Sequence, residues 1–176
     1  MTDEGSDETG SAGRAARTAY VGLGANLGDA AGTLRRAAGE LAAHPGVESC
    51  TLSRLYRSAP VDAQGPDFTN AAARLETTLE PLALLDLLQA VELRHGRERP
   101  YRNAPRTLDL DLLLYADRAM DHPRLVLPHP RMHERAFVLR PLAELAPAGL
   151  MLQGRPLGHW LAACAGQRVE PLSART

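Results

Sequence analysis

Two aspartates one residue apart, Asp109 and Asp111, stand in the run RTLDLDLLLY and are the sharpest chemical feature of the chain. On a β-strand, residues two apart project from the same face about 6.5–7 Å from each other. Both carboxylates then converge on one site while Leu108, Leu110 and Leu112 turn to the opposite face. That separation suits a pair of Mg²⁺ ions about 3.5–4 Å apart, held by carboxylates and completed by substrate phosphates. Asp-x-Asp is short, and alone it also fits the solvent side of an amphipathic strand. Asp is a poor strand former, however, so two of them mid-strand call for a reason. A second cluster lies just upstream. Every basic residue is Arg, and Arg94, Arg97, Arg99, Arg102 and Arg106 fall within thirteen positions. Guanidinium groups grip phosphate oxygens through a planar fork and stay charged when partly desolvated, which favours an anionic ligand. A solvated loop with scattered surface arginines would give the same composition.

These side chains need a frame. The segment from Thr18 to Gly24 predicts a first strand, and Asp29 to about His44 a helix with Leu34, Ala38 and Leu41 at helical spacing, stopped by Pro45-Gly46. Strand-like alternation follows over 47–57 and 68–78, joined by the long loop SAPVDAQGPD, of the kind that often carries function. Pro81 can open a second helix that runs to Gly96 and sets Gln89 and Glu92 on one face. RTLDLDLLLY is the last strand of the series. The order β, α, β, β, α, β predicts an α+β, ferredoxin-like sandwich, with the remainder, including a short helix near Pro156 to Cys164, as a C-terminal extension.

Composition bounds the rest. The chain has 176 residues, 44% of them apolar and 23% charged, values that predict one domain over 18–176. Residues 1–17 lack an apolar stretch and predict a disordered tail rather than a secretory signal. No apolar run is long enough to cross a bilayer. Cys50 and Cys164 are far apart and show no metal-type spacing, so two buried free thiols in a cytoplasmic, monomeric protein are expected.

The segment RNAPRTLDLDLL, residues 102–113, joins Pro-Arg to the paired aspartates at a fixed offset and resembles the signature of the 6-hydroxymethyl-7,8-dihydropterin pyrophosphokinase family. The similarity extends from about Ala19 to Pro147, through AYVGLGANLGD, YRSAPVDAQGPDFTNAAARLET, QAVELRHGRER and LPHPRMHERAFVLRPL. The resemblance implies transfer of pyrophosphate from ATP to the hydroxymethyl group of the dihydropterin, with release of AMP, in folate biosynthesis. It implies ATP as co-substrate, two Mg²⁺ held by Asp109 and Asp111, and small-molecule partners without nucleic acid or membrane. Carried over by position, Arg97 and Arg106 engage the phosphates, and Gln89, Glu92, Arg99, Leu112, Arg124, His129 and Arg135 contact the nucleotide. Phe68 and Phe137 stack on the pterin, Asn70 reads its edge, and Ser58, Pro60 and Val61 belong to the loop around it. The chain departs from the pattern at Asn103-Ala104, where many members have Trp-Gly and one residue more, and at Pro130, which replaces an aromatic. Two other readings are an RNA-binding module of the same element order and a different DxD-type metal-dependent transferase. The string GLGANLG has the wrong final spacing for a dinucleotide-binding fingerprint.

Overall fold

Along β1 (Arg17–Ala25), Ala19, Val21, Leu23 and Ala25 are buried on one face, while Tyr20, Gly22 and Gly24 look to the other. That alternation fixes a strand with two different sides. The computed structural model describes residues 14–60, 65–96 and 107–173. The strand begins one residue inside the expected tail, because Arg17 already pairs with Thr77.

Next comes α1 (Ala30–Ala43), started by Asp29, whose carboxylate accepts the Gly32 N–H at 3.0 Å, and ended before Pro45-Gly46. The expected strand over 47–57 is two strands, β2 (Val47–Leu52) and β3 (Tyr56–Ser58). Ser53 makes the break: its N–H donates to Ala72 C=O at 2.8 Å and its hydroxyl accepts the Ala72 N–H at 2.9 Å. A side chain thus replaces a ladder bond and lets the chain kink without orphaning a backbone group. Both strands pair with β4 (Phe68–Thr77). Pro81 opens α2 (Pro81–Arg94), and Gly96, at φ +78°, follows its end.

The last strand of the predicted series is β5 (Asp109–Tyr115), and it pairs with β1. Beyond it come the hairpin β6 (Met120–His122) and β7 (Leu125–Leu127), a 3₁₀ turn at Met132–Glu134, and α3 (Ala136–Leu145). A small hairpin, β8 (Met151–Leu152) with β9 (Arg155–Pro156), leads to α4 (Leu157–Ala163) and to β10 (Val169–Pro171). The main sheet is antiparallel in the order β10-β3-β4-β1-β5, with β2 also on β4.

The C-terminal extension does more than flank this sheet. Its strand β10 adds to the edge at β3, and Leu139 and Leu142 of α3 with Leu157 of α4 bury a second core around Tyr20, Tyr56 and Leu113. The first core lies on the other face, where Leu34 and Leu41 of α1 and Leu84, Leu88 and Val91 of α2 meet Val21, Leu110 and Leu112. Both thiols are free, as expected, but only Cys164 is buried; Cys50 is half-buried, and burial pushes its thiol up to about 11.

Glu144 ties α3 to the kink between β2 and β3. Its carboxylate accepts the Arg54 N–H at 2.9 Å, Arg54 Nε–H at 2.8 Å and the hydroxyl of buried Tyr56. Burial raises the Glu144 pKa, but the hydrogen bonds from Tyr56 and Arg54 outweigh it and hold the carboxyl below its usual value. Glu144→Ala strands the Tyr56 hydroxyl and should cost about 1–3 kcal/mol of unfolding free energy by denaturant titration at neutral pH. A depressed native pKa contributes stability above the unfolded value and loses it as pH falls through the native one. The gap between wild type and variant should therefore narrow as pH drops below about 4.3, the ordinary Glu value.

Candidate active site

The register of β1 between its neighbours assembles the site. Gly24 faces Asn70 on β4 and Asp109 on β5; Gly22 faces Ala72 and Asp111. All six lie on the sheet face opposite the α1 and α2 layer, since Ala71 and Ala73, Val21 and Leu23, and Leu110 and Leu112 fill the first core. With no side chain at Gly24, the central strand leaves a bare floor between the amide of Asn70 and the half-buried carboxylate of Asp109, while the Leu113 side chain packs over Gly22. The floor is fitted at one point. A Cβ at Gly24 would stand 3.3 Å from Asn70 Nδ2, so only glycine leaves that amide undisturbed. Among the described residues no group of three His, Cys, Asp or Glu gathers as a ready-made cage. Mg²⁺ takes one or two protein carboxylates and completes its coordination with water and phosphate, so a pair such as Asp109 and Asp111 is a donor set of the kind it uses.

On the β4 side, Ser58 donates its hydroxyl to Asn70 Oδ1 at 2.5 Å, and both residues are buried. This bond orients the Asn70 amide so that its NH₂ lies over Gly24 and along the floor. Phe68 pairs with Ser58 and stands on the same face as Asn70, half-buried. Phe137, also half-buried, is the second residue of α3, and the Arg135 guanidinium lies 5.7 Å from its ring centroid. Neither phenylalanine is a fully enclosed core residue. Pro60 is half-buried.

On the β5 side, the pairing with β1 skips Leu113, since Tyr20 faces Leu114 and Val21 faces Leu112. This β-bulge releases the Leu113 carbonyl, which accepts the His129 N–H at 2.9 Å and fixes His129 beside the strand. His129 Nδ1 accepts the Arg131 N–H at 3.2 Å, so the neutral ring carries its proton on Nε2 and presents a donor. Burial, followed by the charge of Arg135, lowers the His129 pKa; Asp109 opposes the shift and Arg131 adds to it. The imidazole is thus held neutral in a basic neighbourhood that includes Asp109.

β5 is the outer strand of the sheet, and buried Glu92 of α2 accepts the Leu110 N–H at 3.3 Å along that open edge. Leu112, two residues on, turns its N–H and C=O to the same edge while its side chain is buried in the first core. Any contact it makes with a ligand is through the backbone. Arg124 reaches Asp86 at 2.5 Å and Gln89 at 3.4 Å from the β6–β7 turn. Gln89 and Arg124 thus meet, Glu92 lies against the β5 edge, and His129 feels the charges of both Arg135 and Asp109. Arg97, Arg99, Arg106 and Val61 lie outside the described residues. The glycine floor was not anticipated, although its signal, two glycines two apart in a strand, lay in the GLGANLG string. A polar cleft lined by Arg17, Glu80, Tyr115 and Arg118 lies at the opposite end of β1 and β5, away from this chemistry.

A family model described as 7,8-dihydro-6-hydroxymethylpterin-pyrophosphokinase (HPPK) matches residues 20–147. The 2-amino-4-hydroxy-6-hydroxymethyldihydropteridine pyrophosphokinase of Pseudomonas aeruginosa is 46% identical over 154 residues, 87% of this chain and 95% of that protein. The Bacillus subtilis protein of the same name is 43% identical over 128 residues, 72% of this chain and 77% of that one. A crystal structure of Plasmodium falciparum HPPK-DHPS A437G superposes with a TM-score of 0.68 at 13% identity, over 87% of this chain and 46% of that longer one, a likeness of fold alone. Because the match runs unbroken from the glycine strand through the paired aspartates to the helix that bears Phe137, the chain belongs to the 7,8-dihydro-6-hydroxymethylpterin-pyrophosphokinase family.

Proposed function

We propose that this chain transfers pyrophosphate from ATP to the hydroxymethyl group of 6-hydroxymethyl-7,8-dihydropterin and releases AMP, a step of folate biosynthesis. Beyond family membership, one observation carries the reading: the row Asn70, Gly24, Asp109 joins a polar, aromatic half-site to a carboxylate half-site across a bare floor. A flat heterocycle with donors and acceptors at its edge suits the first half, stacked by Phe68 and Phe137 and read by the Asn70 amide. A metal-bound triphosphate suits the second. Neither the RNA-binding module nor another DxD transferase explains both halves.

In the reaction, the hydroxymethyl oxygen bonds to the β-phosphorus, the bond from that phosphorus to the bridging oxygen of AMP breaks, and the alcohol proton is lost. The protein's task is alignment and charge compensation. Asp109 and Asp111 would hold two Mg²⁺, which neutralise phosphate charge when bound. The neutral His129, with its Nε2 donor, and Arg135 would meet phosphate oxygens without adding a competing acid. Arg97 and Arg106 are assigned to the same phosphates, and Gln89, Glu92, Arg99, Arg124 and the Leu112 backbone to the nucleotide. Ser58 would hold Asn70 in its reading position, with Pro60 and Val61 beside the pterin. We read residues 18–176 as one monomeric, cytoplasmic pyrophosphokinase domain. Its β1-α1-β2/β3-β4-α2-β5 part we read as ferredoxin-like, supported by the antiparallel strand order. Among the described residues no helix is long and apolar enough to cross a membrane.

Incubation with ATP, Mg²⁺ and the pterin alcohol should yield AMP and the pterin diphosphate; ADP as the nucleotide product would refute the reading. Asp109→Ala or Asp111→Ala should each lower turnover by about a thousandfold, the scale of key electrostatic groups, with an unchanged circular dichroism spectrum. Near-normal rates in either variant would remove the metal assignment. Phe68→Ala or Phe137→Ala should weaken pterin binding roughly five- to 150-fold, from a stacking loss of about 1–3 kcal/mol. Calorimetry with an ATP analogue alone should show little change. An equal loss for both ligands would make the rings structural.

A further inference from the structure

Asp86, Gln89 and Glu92 are the only polar residues of α2 before Arg94, and their spacing of three sets them as neighbours on one helix face. Glu92 meets β5 at Leu110, and Gln89 meets Arg124. Asp86 completes the stripe: its Oδ1 accepts a hydrogen from Arg124 Nη2 at 2.5 Å. Local structure does not account for an aspartate here, since it lies beyond the first turn of α2, where the helix dipole no longer favours a carboxylate. Nor does stability. The Arg124 and Asp86 side chains are 45% and 62% exposed, and ion pairs so open to water contribute little.

What the pair fixes is direction. Arg124 sits in the turn between β6 and β7, where its N–H donates to His122 Nδ1 at 3.1 Å and the next residue, Leu125, is buried in the first core. The backbone is set, but so long a side chain points one way only if its guanidinium is held. Asp86 holds it beside Gln89. Because a guanidinium only donates, the 3.4 Å contact uses Gln89 Oε1, which leaves the Gln89 NH₂ as a donor for a ligand. The level of the cluster matters too. Near its start α2 meets the far end of β5 through Tyr115, whose hydroxyl donates to the Leu79 carbonyl at 2.7 Å, and near its end it meets the aspartates through Glu92 and Leu110. Asp86 lies between, about 9 Å along the helix from Glu92 at a rise of about 1.5 Å per residue. With a triphosphate at Asp109 and Asp111, that distance reaches the ribose and base.

We propose that Asp86 is a positioning residue for the nucleotide, holding Arg124, and through it Gln89, toward the ribose and base. The inference rests on the assignment of Arg124 and Gln89 to ATP. Asp86 balances the charge of Arg124, so the pair suits an uncharged polar group better than a phosphate. Asp86 itself need not touch the ligand.

The test compares wild type with Asp86→Ala, Asp86→Glu, Arg124→Ala and the double variant of Asp86→Ala with Arg124→Ala, all in the full chain. Each is measured by steady-state kinetics, by inhibition with Mg²⁺ tripolyphosphate and by thermal melting. Asp86→Ala should raise KM for ATP about two- to tenfold, the scale of one long side chain left for the ligand to order, with kcat, pterin KM and Tm close to wild type. Inhibition by tripolyphosphate, which has no ribose or base, should not weaken. Asp86→Glu should restore most of the ATP affinity, and the double variant should match Arg124→Ala. An unchanged KM for ATP in Asp86→Ala would overturn the proposal; a lowered one would also do so, by showing that Asp86 competes with the nucleotide for Arg124. Equal weakening of ATP and tripolyphosphate would overturn it in favour of an effect at the phosphates, and a lowered Tm with raised KM for both substrates would make Asp86 structural. Wild-type KM for ATP in Arg124→Ala would refute the assignment of Arg124 to the nucleotide and this inference with it. Failure of the wild type to form AMP is a distinct result, which refutes the pyrophosphokinase reading itself and leaves the inference no ground.

Discussion

The antiparallel register that sets Gly24 between Asn70 and Asp109 is the constraint on which the rest of the site depends. Side chains on a strand alternate with period 2, so a slip of one residue would carry Leu110 and Leu112 onto the ligand face and both aspartates into the first core. Burying two carboxylates there costs far more than any leucine contact returns. The apolar residues between the aspartates therefore act as the device that aims them. Gly24 matters for a related reason, because a side chain there would press on the Asn70 amide between the two half-sites.

The outer edge of a sheet is usually a hazard, since it offers unpaired N–H and C=O groups to other chains. Here that edge is both covered and used. Glu92 takes the Leu110 N–H, and the bulge at Leu113 hands its carbonyl to His129. The same displacement that weakens the ladder locally brings a neutral imidazole to the neighbourhood of Asp109. On the proposed reading, a phosphate-bearing ligand along this edge would meet donors on rigid elements, which limits the ordering entropy it must offset.

The C-terminal extension decides what stands across from the floor. Its helix α3 carries Phe137 on its first turn and has Arg135 as its N-cap. Glu144, near the other end of the helix, fastens it to the kink made by Ser53. The contact fastens to the sheet the helix that carries Phe137. Strand β10 closes the sheet beyond β3 and so backs the Ser58 end of the site.

Local chemistry was legible from the sequence alone. The Asp-Leu alternation of β5, the Asp29 cap, the Pro45-Gly46 stop, the Pro81 start and Gly96 each act over a few residues, and each marks its element to within a residue or two. The family signature assigned Asp109, Asp111, Asn70, Phe68 and Phe137 to the proposed site by the same local means. The break between β2 and β3, the bulge at Leu113, the glycine floor, the Glu144 fastening and the pairing of Arg124 with Asp86 were decided only by the tertiary structure. Ser53 meets Ala72, Gly24 meets both Asn70 and Asp109, and Glu144 meets Arg54 across 90 positions of chain. No hydrophobic period or turn signal encodes such pairings, because they arise from which strands become neighbours once both faces of one sheet are covered.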